Sequence, residues 1–209
     1  MSIHAPPGMG TVYRAVLATL AEHGPRRPPI AEIARRAATS RQYLYRNWPD
    51  FQVLIQKACK AELDRLLDVA SCTGGTLPQP CRLPAQLVRA ARLLREHPVT
   101  RATARTSPDL LLTALTRPTT ALHTRALYWV QAGLCISQPS ADHSTTARTL
   151  FTVTAPFALV PPPWDDPSDR ELLNTRLSTA LHACLGLTPA CSDCSHKAER
   201  IPYTLGYAE

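Results

Sequence analysis

The sequence predicts an all-α fold, with a short three-helix head followed by a longer helical portion. Three observations predict it. Apolar residues recur at three- and four-residue spacing through most of the chain. No segment of any length alternates apolar and polar residues as a half-buried strand would. The 20 prolines fall between the periodic segments instead of forming one low-complexity block. A chain of 209 residues, 44% hydrophobic, has enough apolar surface to build a core without disulfides or metals.

The elements follow in order. Met1 to Gly10 reads as a mobile arm. Thr11 to His23 reads as a helix with the stripe Val12, Val16, Leu17 and Leu20, ended by Gly24 and Pro25. Arg26-Arg27-Pro28-Pro29 is a basic connector, and Pro29 suits the first turn of the next helix. Ile30, Ile33, Ala34 and Ala37 form the buried face of a second helix. Ala38-Thr39-Ser40 breaks that pattern, and Ser40 can cap a third helix over Arg41 to Asn47. Asp50 caps a fourth, Phe51 to Ala70, about 20 residues or ~30 Å long. Its inward residues are Phe51, Leu54, Ile55, Ala58, Leu66 and Leu67.

Ser71 to Pro80, rich in Gly and Pro, marks the domain boundary. Beyond it, Pro84 to His97 reads as an amphipathic helix, and Pro98, Pro108 and Pro118 cut short helices. Thr119 to Ser137 and Asp142 to Val160 are longer, the latter with a kink expected at Pro156. Ser168 or Asp169 caps a last helix with the stripe Leu172, Leu173, Leu177, Ala180, Leu181, Cys184 and Leu185. The expected division is 10–70, 82–187 and a tail, 188–209.

The second and third helices form a helix-turn-helix pattern. On the third, Leu44 turns inward and leaves Arg41, Gln42, Tyr43 and Arg46 free. Arg can bond guanine, Gln can bond adenine, and Tyr can reach a phosphate, so this face suits the major groove. Charge agrees. The net charge is +7, and Arg26, Arg27, Arg35, Arg36, Arg41 and Arg46 stand against Glu32 alone between 26 and 48. A second run, with Arg82, Arg89, Arg92, Arg95, Arg101 and Arg105 against Glu96, is expected to be a solvated helix face.

Other classes recede. The N-terminus lacks the pattern of a secretory signal, and no stretch approaches the ~18 apolar residues of a membrane span. Seven scattered cysteines form no disulfide framework, so a reduced cytoplasmic compartment is expected. No phosphate-cradling Gly-rich loop, H-E-x-x-H or G-x-S-x-G appears, so no enzyme and no cofactor is expected. Asp165-Asp166 reads as a helix-start feature.

With these elements placed, Val12 to Leu67 resembles the TetR family of transcriptional regulators. The phrase Leu20-Ala21-Glu22-His23-Gly24 ends the first helix, and Ile33-Ala34-Arg35-Arg36-Ala37 carries the family's second-helix pattern. Ser40, Leu44, Tyr45 and Trp48 match its recognition-helix signature, and Asp50 with Leu54-Ile55 matches the helix after it. Three positions depart. Ala38 stands where the family commonly has Gly, Pro28-Pro29 where a capping Thr or Ser leads the second helix, and Phe51 where a Lys begins the fourth.

The resemblance implies a double-stranded DNA operator as partner, contacted by Arg26, Arg27, Ser40, Arg41, Gln42, Tyr43, Tyr45 and Arg46. Tyr45 can equally support the recognition helix from inside. The resemblance further implies a homodimer formed through the last two helices, with Leu173, Leu177, Leu181 and Leu185 at the interface. It implies a small-molecule effector, of unknown identity, in the second domain. Tyr128, Trp129, Phe151 and Phe157 are candidate pocket residues, with core packing as their plainer role. His97 and His123 read as capping or satisfied core groups. The implied mechanism is repression relieved by ligand, through a shift between forms whose reading heads are differently spaced.

The tail holds Cys191, Cys194 and His196, with Cys184 one helix end away. Cys-x2-Cys is a zinc-ligand spacing, but one pair in a small-polar tail leaves a solvated segment as the default and no metal site expected. The alternative is a helical dimeric sensor or partner-binding protein with weak or no operator binding, using these Cys and His for metal or redox sensing.

Overall fold

A computed structural model describes residues 8–72, 77, 79–117, 120–137, 142–160 and 166–187. All regular structure among them is helical. The first four helices are α1 (Met9–His23), α2 (Ile30–Arg36), α3 (Arg41–Asn47) and α4 (Phe51–Ser71). Then come α5 (Gln79–Glu96), α6 (Pro98–Thr106), α7 (Pro108–Thr116), α8 (Ala121–Ser137), α9 (His143–Leu159) and α10 (Pro167–Cys184). No described helix is long and apolar enough to cross a membrane.

Local chemistry sets most ends. Gly24 closes α1 at φ +79°, and its N–H donates to the Leu20 carbonyl. The Asp50 carboxylate accepts from the Gln52 N–H at 2.8 Å and starts α4. Several starts differ from expectation, α1 among them, which begins at Met9 and not at Thr11. Helix α5 begins at Gln79, so Pro84 lies inside it and one backbone bond is forgone. Burial of Leu83, Pro84 and Ala85 favours that arrangement. Asp166, not Ser168 or Asp169, caps α10, accepting from the Ser168 N–H at 2.8 Å, with Pro167 as the first helical residue. Pro29 precedes α2 as its cap residue and supplies no side-chain bond.

Apolar side chains collect in three main clusters. Val12, Val16 and Leu20 of α1 meet Ile33, Leu44, Trp48 and Leu54 in the first. Leu83 and Leu87 of α5 meet Leu134, Leu150, Leu177 and Leu181 in the second. The third joins Leu63, Leu66 and Leu67, from the C-terminal half of α4, to Ala90 and Leu93 of α5. Helix α4 therefore contributes to both ends of the molecule, and α6 lies along α1. At their crossing Gly24 faces Thr106 so closely that an added Cβ would stand 2.2 Å from the Thr106 hydroxyl.

Two expectations fail here. Leu177 and Leu181 are fully buried within the single chain, so they offer no surface to a second copy. Leu173 is half-buried, and Leu185 packs against the second cluster. The inward stripe of α10 is covered by α5 and α9 of its own chain. The second arginine run is not a solvated face either, although Arg101 and Arg105 are exposed. Arg89 donates to the Cys72 carbonyl, and Arg95, 3% exposed, donates to the Phe157 carbonyl and to Asn174 Oδ1, each at 2.8 Å. These arginines tie helix ends together inside the fold.

Candidate functional site

Helix α3 stands on a buried floor. The Ser40 hydroxyl accepts from the Tyr43 N–H at 3.0 Å and satisfies one of the amides a helix start leaves open. Leu44 and Trp48 point into the first cluster. Arg41, Gln42, Tyr45 and Arg46 project outward, and Tyr45 is 51% exposed. Tyr43 behaves differently. It is half-buried and meets Trp48 edge to face, with ring centroids 6.5 Å apart. Of the two tyrosines, Tyr43 is the one held against the core.

The turn between α2 and α3 carries backbone strain. Ala38 has φ +50°, the left-handed region that L-residues with a Cβ avoid. The Ala38 N–H donates to the Arg35 carbonyl and the Thr39 N–H to the Ala34 carbonyl, which is the bonding of a glycine-ended helix built with alanine. Ala38→Gly is therefore expected to stabilise the protein by about 0.5–1 kcal/mol. Thermal unfolding checks it, and an unchanged or lower midpoint contradicts the strain.

Charge on this end is less free than the sequence suggests. Arg35 is bidentate to Glu32, and Arg36 bonds both Glu32 and Glu22. The bonds from Arg35 and then Arg36 hold the Glu32 carboxyl down to about 2. Arg26 is paired with Asp109 of α7, and this bond lowers the Asp109 carboxyl. The exposed Arg26 pair is worth little in stability, but it commits Arg26 to a helix that sequence spacing could not place beside it. Arg27, Arg41 and Arg46 are exposed and make no hydrogen bond or ion pair with the described residues. Phe51 is half-buried against the first cluster, so the start of α4 presents an apolar group instead of a cation.

A second feature lies between the two ends. A cavity of about 320 Å³ is walled by residues of α1 and α4 to α9. Trp129 and Phe151 line it, as the sequence suggested, but two other candidates do not. Tyr128, 67% exposed, points away from the fold, and Phe157 packs into the second cluster. A one-residue step along α8 turns a side chain by about 100°, enough to send Trp129 inward and Tyr128 outward.

Polar groups also stand on this wall, among them His97, Glu62, His123 and Cys59. His97 caps α6, as expected for it: its Nδ1 accepts from the Val99 N–H at 3.2 Å, while Nε2 lies 3.1 Å from Glu62. Burial pushes the Glu62 carboxyl up, yet bonds from His97 and Arg65 outweigh it and hold the group at about 2. His123 does not fit its expected role. Its Nδ1 is buried with no hydrogen-bond partner among the described residues, and its ring meets Phe151 edge-on at 4.3 Å. The Cys59 thiol also lines the cavity, pushed up to about 11 by burial and then by Glu62. Cys191, Cys194 and His196 lie outside the described residues, and Cys184 is exposed near the end of α10.

No family model and no curated protein matches the sequence. A solved structure does match: a transcriptional regulator from Rhodococcus sp. Rha1, 19% identical, aligned over 86% of this chain and 96% of that one, with a TM-score of 0.57. At that identity the likeness establishes a shared helical fold.

Proposed function

We propose that this chain is a sequence-specific DNA-binding transcriptional regulator of the TetR type. It acts as a homodimeric repressor, released from a palindromic operator by a small molecule. One observation carries the reading: Arg41, Gln42, Tyr45 and Arg46 stand exposed on a short, capped helix whose opposite face is locked into a core. A rigid element with uncommitted donors is what base-edge reading requires. The description of the Rhodococcus protein as a transcriptional regulator supports it.

Residues 10–70 form the reading head in this account, and 82–187 the ligand-binding and pairing part. A single short helix reads few base pairs, so two copies with centres ~34–36 Å apart are needed. Pairing then uses the outward face of α10, where Leu172 is 50% exposed, and not the buried Leu177 stripe. The cavity wall includes Leu17 of α1 and Val99 of α6, so an occupant would touch the helices on which the head rests. A ligand that prefers one head spacing shifts the population by its differential affinity alone. The working compartment is the cytoplasm, with DNA.

Gel retardation on the DNA flanking its own coding region tests the reading. Arg41→Ala and Gln42→Ala should each weaken specific binding by about 1–3 kcal/mol, ten- to hundredfold, with little change on unrelated DNA. Arg46→Ala should reduce the slope of log affinity against log salt by about 1 if it meets a phosphate. Indifference of specific binding to Arg41→Ala and Gln42→Ala would sink the assignment of α3 as reader. Two observations favour a second reading, a helical sensor that has lost operator binding: the uncapped start of α2 and the pairing of Arg26 with Asp109. Retained ligand binding without any specific retardation selects it.

A further inference from the structure

We infer that the cavity takes an uncharged, largely apolar molecule bearing a hydroxyl group, with that hydroxyl bonded to Nδ1 of His123. The inference rests on the reading of residues 82–187 as a ligand-binding part, and it names the class of ligand.

The wall sets the body of the molecule. Leu63, Leu66, Leu87, Trp129, Phe151 and Leu159 make it predominantly aliphatic and aromatic. About 320 Å³ lies at the small end of ligand pockets, suited to two linked or fused rings. Apolar burial supplies most of the affinity in such a site.

Charge on the wall excludes ions of either sign. Among the described residues, Glu62 is the sole carboxylate on the lining, and none of the lining is Lys or Arg. Arg65 holds Glu62 through two bonds of 2.6 and 3.0 Å, and His97 takes a third. A cationic ligand would have to displace these partners. An anionic ligand would meet a carboxylate with no cation of the lining to balance it, and would lose its hydration in an apolar enclosure.

Among the described lining residues, His123 is the one with a buried nitrogen or oxygen left without a hydrogen-bond partner. The Thr154 hydroxyl on the same wall donates to the Leu150 carbonyl, and the Thr120 hydroxyl accepts from the His123 backbone N–H. The Nδ1 of His123 has no such partner among the described residues and is shielded from solvent. A buried polar atom without a partner is disfavoured by about 1–3 kcal/mol, so a ligand group that meets it gains that difference. Burial lowers the histidine pKa and so favours the neutral ring. A neutral ring presents either a bare nitrogen or an N–H at Nδ1, and a hydroxyl can serve both, as donor to the first and acceptor from the second.

The test is displacement of the neutral fluorescent probe N-phenyl-1-naphthylamine from the full chain. Three competitors of one shape are compared: 4-phenylphenol, biphenyl and biphenyl-4-carboxylate. The phenol should displace the probe at about tenfold lower concentration than biphenyl, the ratio that one hydrogen bond supplies, and the carboxylate should be the weakest. His123→Phe should bring the phenol and biphenyl within about twofold by deleting that bond, with His123→Leu as a second variant of different shape. A carboxylate that binds best, a phenol no better than biphenyl, a preference that survives both variants, or no binding by any of the three overturns the inference. Because no DNA is present, these outcomes are separate from operator binding, which gel retardation scores on its own.

Discussion

Gly24→Ala is expected to destabilise the protein by about 2–6 kcal/mol, from two additive causes. Gly24 has φ +79° and ψ 172°, a region open almost solely to glycine, and forcing alanine there costs about 1–3 kcal/mol. The new Cβ would also stand 2.2 Å from the Thr106 hydroxyl and 3.0 Å from its Cβ, a clash worth about 1–3 kcal/mol of overpacking. Thr106 is β-branched, and its hydroxyl is bonded to the Ala102 carbonyl at 2.9 Å, so it yields poorly. Relief therefore requires α6 to move off α1. Chemical denaturation measures the total, and Thr106→Ala in the same chain should recover the part of the clash made by the hydroxyl and methyl, leaving the backbone term and the 3.0 Å Cβ contact. Equal stability of Gly24→Ala and wild type would mean that α1 and α6 are not in this close approach.

Trp48→Ala should cost about 3–5 kcal/mol and abolish DNA retardation at the same time. Trp48 is 7% exposed, closes the first cluster, and holds Tyr43 edge to face. It also ends α3, its N–H donating to the Leu44 carbonyl at 2.8 Å. Removing the indole opens a cavity beneath the short helix, which has few other contacts to keep its orientation. Tyr45→Ala is the contrasting variant: Tyr45 is exposed, so its stability should stay within about 0.5 kcal/mol of wild type while DNA affinity falls. If Tyr45→Ala were the more destabilising of the two, the assignment of which aromatic supports and which reaches out would be reversed.

The contrast between these residues shows what the sequence could and could not tell. Local signals sufficed for α1 to α4. A three- and four-residue apolar period, Ser40 and Asp50 as caps and Gly24 as a stop all act within one or two turns, and each stands as its chemistry dictates. Periodicity also marked α10 as one-sided. It could not say whether that side met helices of the same chain or a second copy, and Leu177 and Leu181 lie in the chain's own core. The same limit hid the Arg26–Asp109 pair and the burial of Arg89 and Arg95, since these partners are separated by long stretches of sequence. Aromatic residues on α8 and α9 looked alike in sequence. Only packing separates Trp129 and Phe151, on the cavity wall, from Tyr128 and Phe157. In the sequence His123 reads only as a capping or satisfied core group, because its distinction lies in a partner it lacks among the described residues.

The central claim is that α3 reads DNA in a paired molecule. Nuclease footprinting on the DNA flanking the chain's own coding region bears on it most directly. The account predicts two protected half-sites of related, inverted sequence, their centres about 10 bp apart or a multiple of that, with protection lost in Arg41→Ala. Protection that is absent, uniform along the DNA, or unchanged in Arg41→Ala would contradict it.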